Sequence, residues 1–311
     1  MTTKPTPIVI DCDPGHDDAI ALMLAVASSK LDLRAVTTVA GNTTIDKTTA
    51  NAIRILDLLG QDTPVAAGAS RPLVRELVVA EYVHGPSGLD GPTLYPPSRE
   101  PRAGHAIHLI AEVLEHAERP VTIVPVGPLT NIALFLAVYP ELVERIDRVV
   151  VMGGAMVQGN VTASAEFNIY VDPEAAERVF SSGLNVTMVG LDVTHKALLR
   201  HSDAERLASG GTVSRFVAEL FGFFSRSEPD SRGLGGAPIH DAAAVAHLIW
   251  PDLVMTEPRS VEVDLGTTSR GRTVVDRRPG APINPNLQVA TDIDGDRFTR
   301  LLVESIESLD R

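Results

Sequence analysis

The chain has a single cysteine, Cys12, in 311 residues, so no intramolecular disulfide can form and a stapled secretory scaffold is excluded. Such a lone thiol packs more often as a small buried hydrophobe than it reacts. Positive charge is also short: 27 Lys and Arg against 40 Asp and Glu leave a formal charge of −13, a field that repels a phosphate backbone. Nucleic acid is therefore not an expected partner, whereas a neutral ligand, or one that becomes cationic during reaction, suits this field. Long apolar runs are missing too. Residues 1–7 lack the apolar core of a signal peptide, and no stretch of about 18 uncharged apolar residues is present to span a bilayer. No membrane partner and a cytoplasmic location are the expectations. Neither a Gly/Ser-rich linker nor an internal repeat divides the chain.

What is present is the composition of a globular protein, 44 % apolar and 22 % charged. Short apolar runs at residues 8–11, 33–39, 121–126, 148–152 and 186–191 read as strands, and their continuous hydrophobicity fits burial on both faces. Between them, 17–28, 47–59, 105–116 and 173–180 read as helices, with apolar residues at three and four spacing, as in Ile107, Ile110, Ala111 and Leu114. This alternation predicts parallel strands joined by helical crossovers. The expected fold is α/β, an open, mostly parallel, doubly wound Rossmann-like sheet flanked by helices. The last third reads as helices at 213–224 and 239–249 and strand-like 261–264 and 273–276, a C-terminal extension of one domain spanning 1–311. Stretches 82–101 and 227–238 read as long mobile loops, of a length common in lids and binding segments. Ligands of such sheets bind beyond the carboxyl ends of the strands, which makes the turns that follow the strands the places to inspect.

The first such turn, Asp11-Cys12-Asp13-Pro14-Gly15-His16-Asp17-Asp18, places four carboxylates within eight residues. Crowding of this kind is costly unless something positive neutralises it. One or two Asp would need only a helix start, because an acidic first turn suits the helix dipole and Pro-Gly makes a turn. Four at the mouth of a sheet point to a cation site. All the candidate ligands are oxygen donors, so a hard ion such as Ca2+ or Mg2+ is expected rather than zinc. The pattern is not an EF-hand loop, and it lacks the G-x-G-x-x-G fingerprint, whose pyrophosphate these carboxylates would repel. Further segments stand at strand or helix ends: Val126-Gly127-Pro128-Leu129-Thr130-Asn131, Ala165-Glu166-Phe167-Asn168 after Met152-Gly153-Gly154, and Ile239-His240-Asp241. Taken singly, His240 reads as a structural histidine and Glu166 as a solvated loop carboxylate.

Together with the Asp-x-Asp-Pro-Gly-x-Asp-Asp signature, these segments resemble the inosine-uridine preferring nucleoside hydrolase family over nearly the whole chain, from Ile8 to a C-terminal helix around 301–306. Val39-Ala40-Gly41-Asn42, His84-Gly85-Pro86-Ser87-Gly88, Asp172-Pro173-Glu174-Ala175-Ala176 and Met188-Val189-Gly190-Leu191-Asp192 are similar as well. The resemblance implies Ca2+ held by Asp13, Asp18 and Asp241 with the carbonyl of Val126, and Asp13 as general base. It implies ribose hydroxyls on the metal and against Asp17, Asn160, Glu166 and Asn168, with Asn42 near the attacking water and His84 and Phe167 near the base. For Asn42 and His84, plain loop hydrogen bonding is the alternative. A homodimer or homotetramer is implied by the same analogy.

Such a site matches the chemistry of N-glycosidic cleavage, which builds positive charge on the ribose and negative charge on the departing base. A carboxylate-rich pocket serves the first, and His240, beside a proposed metal ligand, is placed to protonate the second. Two other readings stand beside this one. A haloacid-dehalogenase-like Mg2+ phosphatase also uses Asp-x-Asp after its first strand, although Pro14-Gly15 replaces the hydroxyl-bearing turn it needs. A non-catalytic nucleoside-binding protein could hold ribose without cleaving it. Base choice is not legible: 223–230 reads Phe-Phe-Ser-Arg-Ser-Glu-Pro-Asp, with Phe224, Glu228 and Gly233 where family members often place base-orienting tyrosines or amides.

Overall fold

A computed structural model describes residues 4–227, 233–278 and 284–310. The apolar run predicted first forms β1 (Thr6–Cys12), buried at every position but Thr6. Seven further strands join it: β2 (Leu31–Thr38), β3 (Val65–Ala67), β4 (Val121–Pro125), β5 (Ile146–Met152), β6 (Val186–Val189), and, after two short strands β7 (Leu198–Arg200) and β8 (Gly236–Pro238), β9 (Val254–Arg259). A hairpin of β10 (Val261–Val263) and β11 (Thr273–Val275) precedes the last member, β12 (Leu287–Ile293). The order across the sheet is β3-β2-β1-β4-β5-β6-β12-β9, parallel except for β9, which runs against β12. Chain direction across the sheet reverses between β1 and β4, the crevice where doubly wound folds bind ligands.

Helices cover both faces. In chain order they are α1 (His16–Ala27), α2 (Ile45–Leu58), α3 (Glu81–His84), α4 (Ala106–His116), α5 (Thr130–Val138), α6 (Phe167–Val171), α7 (Pro173–Phe180), α8 (Leu191–Thr194), α9 (His201–Ala208), α10 (Thr212–Ser227), α11 (His240–Ile249) and α12 (Gly295–Glu307). Because strand side chains alternate, Ile8, Ile10 and Cys12 join a core with α1, α2 and α10 to α12, while Val9 joins a second core with α4, α5 and α7. Helices α1 and α11 pack together, and both carry several buried alanines, Ala19, Ala21 and Ala25 on one and Ala242 to Ala244 on the other. That packing sets two acidic N-termini, Asp17-Asp18 and His240-Asp241, beside each other at the crevice.

The structure departs from the sequence expectations in places that have physical causes. The second strand stops at Thr38, where Val39 turns its N–H onto the Cys12 carbonyl at 3.0 Å. The run expected as strand to 191 ends at Val189, and Leu191 opens a helix. Strands β9 and β12, absent from the expectations, extend the main sheet, so the C-terminal third is partly sheet rather than appended to it. Of the expected loop 82–101, residues 82–84 belong to α3, and the rest is held by hydrogen bonds, Asn51 Nδ2 donating to Ser87 O at 2.9 Å and Arg54 Nε to Tyr95 O at 2.8 Å, with Arg102 N–H just past it donating to Val65 O at 2.7 Å. Part of the other expected loop, 228–232 with Glu228, lies outside the described residues. Among the described residues no helix is long and apolar enough to cross a membrane.

Candidate active site

Beyond β1 the chain makes its Pro-Gly turn and enters α1. Asp18, three residues into the helix, folds its carboxylate back over that turn, taking the Asp13 N–H at 3.0 Å and the Gly15 N–H at 2.9 Å. Asp13 is fully buried. Its Oδ2 accepts the Asn42 N–H at 2.6 Å, and the Asn42 amide reaches Asp13 O at 3.2 Å and Asp18 Oδ2 at 3.1 Å. Asp13 Oδ1 has no hydrogen bond. A Cβ on either Gly41 or Gly127 would collide with this carboxylate, so the backbone after β2 and after β4 can close on Asp13 only without a side chain.

Carboxylate oxygens of Asp17, Asp18 and Asp241 lie within 4.8 Å of one another, and those of Asp18 and Asp241 are in hydrogen-bonding contact. Burial, then the charges of the neighbouring carboxylates, Asp18 foremost for Asp13 and Asp17 for Asp241, pushes Asp13 and Asp241 well above the usual carboxylate range, and burial raises Asp18 too. Four buried carboxylates with an oxygen-only donor set, one of whose atoms is unpartnered, fit a hard divalent cation. The tightest cluster includes Asp17 rather than the expected Asp13, whose carboxylate leans toward Asn42.

Above this floor a pocket opens, lined by Asp17, Asn42, His84, Val126, Asn160, Glu166, Phe167, Asn168, His240 and Asp241, together with Tyr82, Val83, Val161 and Phe224. Ten of the twelve residues singled out in the sequence thus share one cavity, and the remaining two, Asp13 and Asp18, lie buried beneath it. Glu166 caps α6, accepting N–H groups of Asn168 at 2.9 Å, Ile169 at 3.2 Å and Gly154 at 3.0 Å. Its carboxylate is thereby fixed, not solvated. Asn160 Oδ1 accepts the Phe167 N–H at 3.1 Å, and Asn168 Nδ2 donates to the carbonyls of Val126 at 2.9 Å and Met152 at 3.1 Å. The His240 ring is oriented by Thr194, whose Oγ1 lies 2.7 Å from Nδ1, and meets His195 edge-on at 5.7 Å.

Sequence reasoning gave no role to His16. Its ring stacks on His84 at 5.3 Å, Phe223 at 5.5 Å and Phe224 at 5.1 Å, and its Nε2 sits 2.8 Å from Asp90 O. Burial lowers His16 to about 4 and drives His84 well below the imidazole range, with His16 and His240 adding to the effect on His84. Both rings are neutral at pH 7; His84 and Phe224 form an aromatic wall of the pocket, with His16 stacked on both. A pocket with a carboxylate and amide floor and an aromatic wall suits a ligand with a polyhydroxyl end and a flat end.

The family model described as inosine-uridine preferring nucleoside hydrolase matches residues 8–300. A protein of Salmonella schwarzengrund (strain CVM19633) named pyrimidine-specific ribonucleoside hydrolase RihA is 52 % identical over 305 residues, 97 % of this chain and 98 % of that one. A protein of Citrobacter koseri with the same name is 52 % identical over 304 residues, 96 % of this chain and 97 % of its own. Among solved structures, a purine-preferring ribonucleoside hydrolase from Gardnerella vaginalis superposes with a TM-score of 0.91 at 33 % identity, covering 98 % of this chain and 99 % of that one.

Proposed function

Because the chain belongs to the inosine-uridine preferring nucleoside hydrolase family, we propose that it is a calcium-dependent hydrolase of ribonucleosides, acting on pyrimidine nucleosides and releasing ribose and free base. The observation that carries this reading is the pairing of a buried carboxylate floor with an aromatic wall in one cavity at the crevice between β1 and β4. Pyrimidine preference rests on the name of the 52 % identical relatives. The phosphatase reading falls with the family match. The protein is taken as one domain, cytoplasmic, working on a small-molecule ribonucleoside as a homodimer or homotetramer.

Asp13, Asp18, Asp241 and the Val126 carbonyl would hold the ion. When bound, calcium supplies Lewis acidity toward a water and toward the ribose diol. Asp17, Asn160, Glu166 and Asn168 orient the sugar through its hydroxyls, and the N–H bonds on Glu166 spare its carboxylate any reorganisation. Asp13 takes the proton of the attacking water, with Asn42 holding one of its oxygens. His240, its ring set by Thr194, delivers a proton to the leaving base, while Phe167, His84 and Phe224 pack against the ring. The carboxylates then face the sugar carbon as it becomes cationic, which is where their charge lowers the barrier.

A panel of ribonucleosides assayed for reducing sugar, with and without chelator, tests the reading. Uridine or cytidine should release ribose, chelation should abolish release, and calcium should restore it. Intact nucleosides after prolonged incubation would leave a binding protein instead, and undiminished turnover in chelator would remove the metal.

A further inference from the structure

Two motifs remain without a part in the reaction, the Thr130-Asn131 end of the turn after β4 and the Asp172-Pro173 entry to α7. Thr130 Oγ1 donates to Asp172 Oδ2 at 2.6 Å, and Asp172 also takes the N–H groups of Leu73 at 2.9 Å and Ala175 at 3.0 Å. That pair staples α5 to α7. Asn131, beside it and fully buried, reaches in the other direction. Its Nδ2 donates to Asp11 Oδ1 at 2.8 Å and to the Thr38 carbonyl at 2.9 Å, while its Oδ1 accepts the Ala69 N–H at 2.8 Å. Thr37 Oγ1 is the second donor on Asp11 Oδ1, at 2.6 Å.

One amide thus ties α5 to β1, to the end of β2 and to the segment just past β3. The chain runs on from Thr38 through Val39, held to Cys12 O at 3.0 Å, and Ala40, held to Ala69 O at 3.0 Å, to Asn42, whose N–H grips Asp13 Oδ2. Asp11 is the last residue but one of β1, and Asp13 follows directly on the strand's last residue, Cys12. Asn131 therefore controls both supports of Asp13: the strand it leaves and the backbone N–H it accepts. We propose that Asn131 is a positioning residue for Asp13, fixing where its carboxylate stands relative to the ion and the water; the assignment rests on the hydrolytic reading above. A buried amide needs partners wherever it lies, so stability alone cannot test this role.

The test uses the calcium-loaded full chain and Asn131→Ala, Asn131→Asp and the exchange Asp11→Asn/Asn131→Asp, with kcat and KM for uridine and calorimetric calcium affinity of the stripped protein. Loss of an outer support of this kind should lower kcat and calcium affinity by about 10- to 100-fold in Asn131→Ala, leaving KM nearly unchanged. Asn131→Asp keeps the acceptor for Ala69 but loses both donors, and should fall as far. The exchange, which restores a donor to face an acceptor across the two side chains, should recover about tenfold of that loss. If folded Asn131→Ala keeps kcat and calcium affinity within about twofold of the parent, the role is refuted. Should Asn131→Ala not fold, the Asn131→Asp variant and the exchange decide by the same measures. Should the parent itself release no ribose, the hydrolytic reading fails while calcium affinity still judges Asn131.

Discussion

At the scale of the residue, the sharpest test falls on His240, because the help it gives depends on the leaving group. Uracil leaves poorly as an anion, whereas nitrophenolate is stable when expelled. His240→Ala should therefore lose on the order of 10² in kcat for uridine and almost nothing for nitrophenyl riboside. Equal losses on both substrates, with calcium content normal, would show that His240 supports the metal site instead of donating a proton. Asp17, lining the pocket and within the carboxylate cluster, should make the enzyme demand a 2-hydroxyl, so 2-deoxyuridine should fall in kcat/KM by roughly 10² or more. Parity between uridine and its 2-deoxy form would remove Asp17 from the sugar. The acidic cluster was legible in sequence because crowded carboxylates need an explanation wherever they fold, whereas the parts given to Asp17 and His240 came from the family resemblance. His16 and Thr194 were not legible, since what makes them matter is contact with His84, Phe224 and His240, which lie far along the chain.

At the scale of the element, α10 forms the aromatic side of the pocket. Phe223 and Phe224 stack on His16 of α1, and Ser227 Oγ, at the last residue of the helix, donates to Val83 O of α3 at 2.6 Å. Phe224→Leu keeps an apolar side chain but removes the flat face toward His84, 5.7 Å away. KM for uridine should rise about tenfold, roughly 1.4 kcal/mol, with kcat little changed. A fall in kcat at constant KM would place Phe224 behind the catalytic groups and not against the base. The helix itself was predictable from its three and four spacing, and so were the buried parallel strands, whose runs are apolar throughout. The elements that escaped prediction lack such a signal. β3 is three residues long, β9 is an edge strand with Pro258 and exposed positions, and β12 mixes Gln, Thr and Asp into its run. Their places are set by tertiary pairing, which local pattern does not encode.

At the scale of the whole molecule, the carboxylate floor couples folding to pH and to the ion. Asp11 is pushed up to about 7 by burial, and Asp13, Asp18 and Asp241 are raised by burial, with the charges of Asp18 and Asp17 adding to the effect on Asp13 and those of Asp17, Asp18 and Asp13 to the effect on Asp241. An acid whose pKa is higher folded than unfolded binds protons more tightly in the native state. The stability it contributes is full below the unfolded value of about 4 and drains away as pH climbs through the folded value. In chelator the unfolding midpoint should therefore rise as pH is lowered from about 8 to 5, with a slope of about 1.4 kcal/mol per pH unit for each proton taken up. Surface carboxylates act in the opposite sense, because Asp252, Asp276 and Asp292 are held below the usual range by hydrogen bonds to Arg297, Arg278 and Lys196. They are exposed, so their opposing contribution is small and is felt only below about pH 4. Saturating calcium should invert the trend, since the ion binds the deprotonated carboxylates of the native state and competes with their protons. The two curves of midpoint against pH should converge toward acid and separate toward neutral pH, where calcium stabilises most. Curves that run parallel would mean that the ion does not bind at these carboxylates, and a flat curve in chelator would mean that burial does not hold their protons.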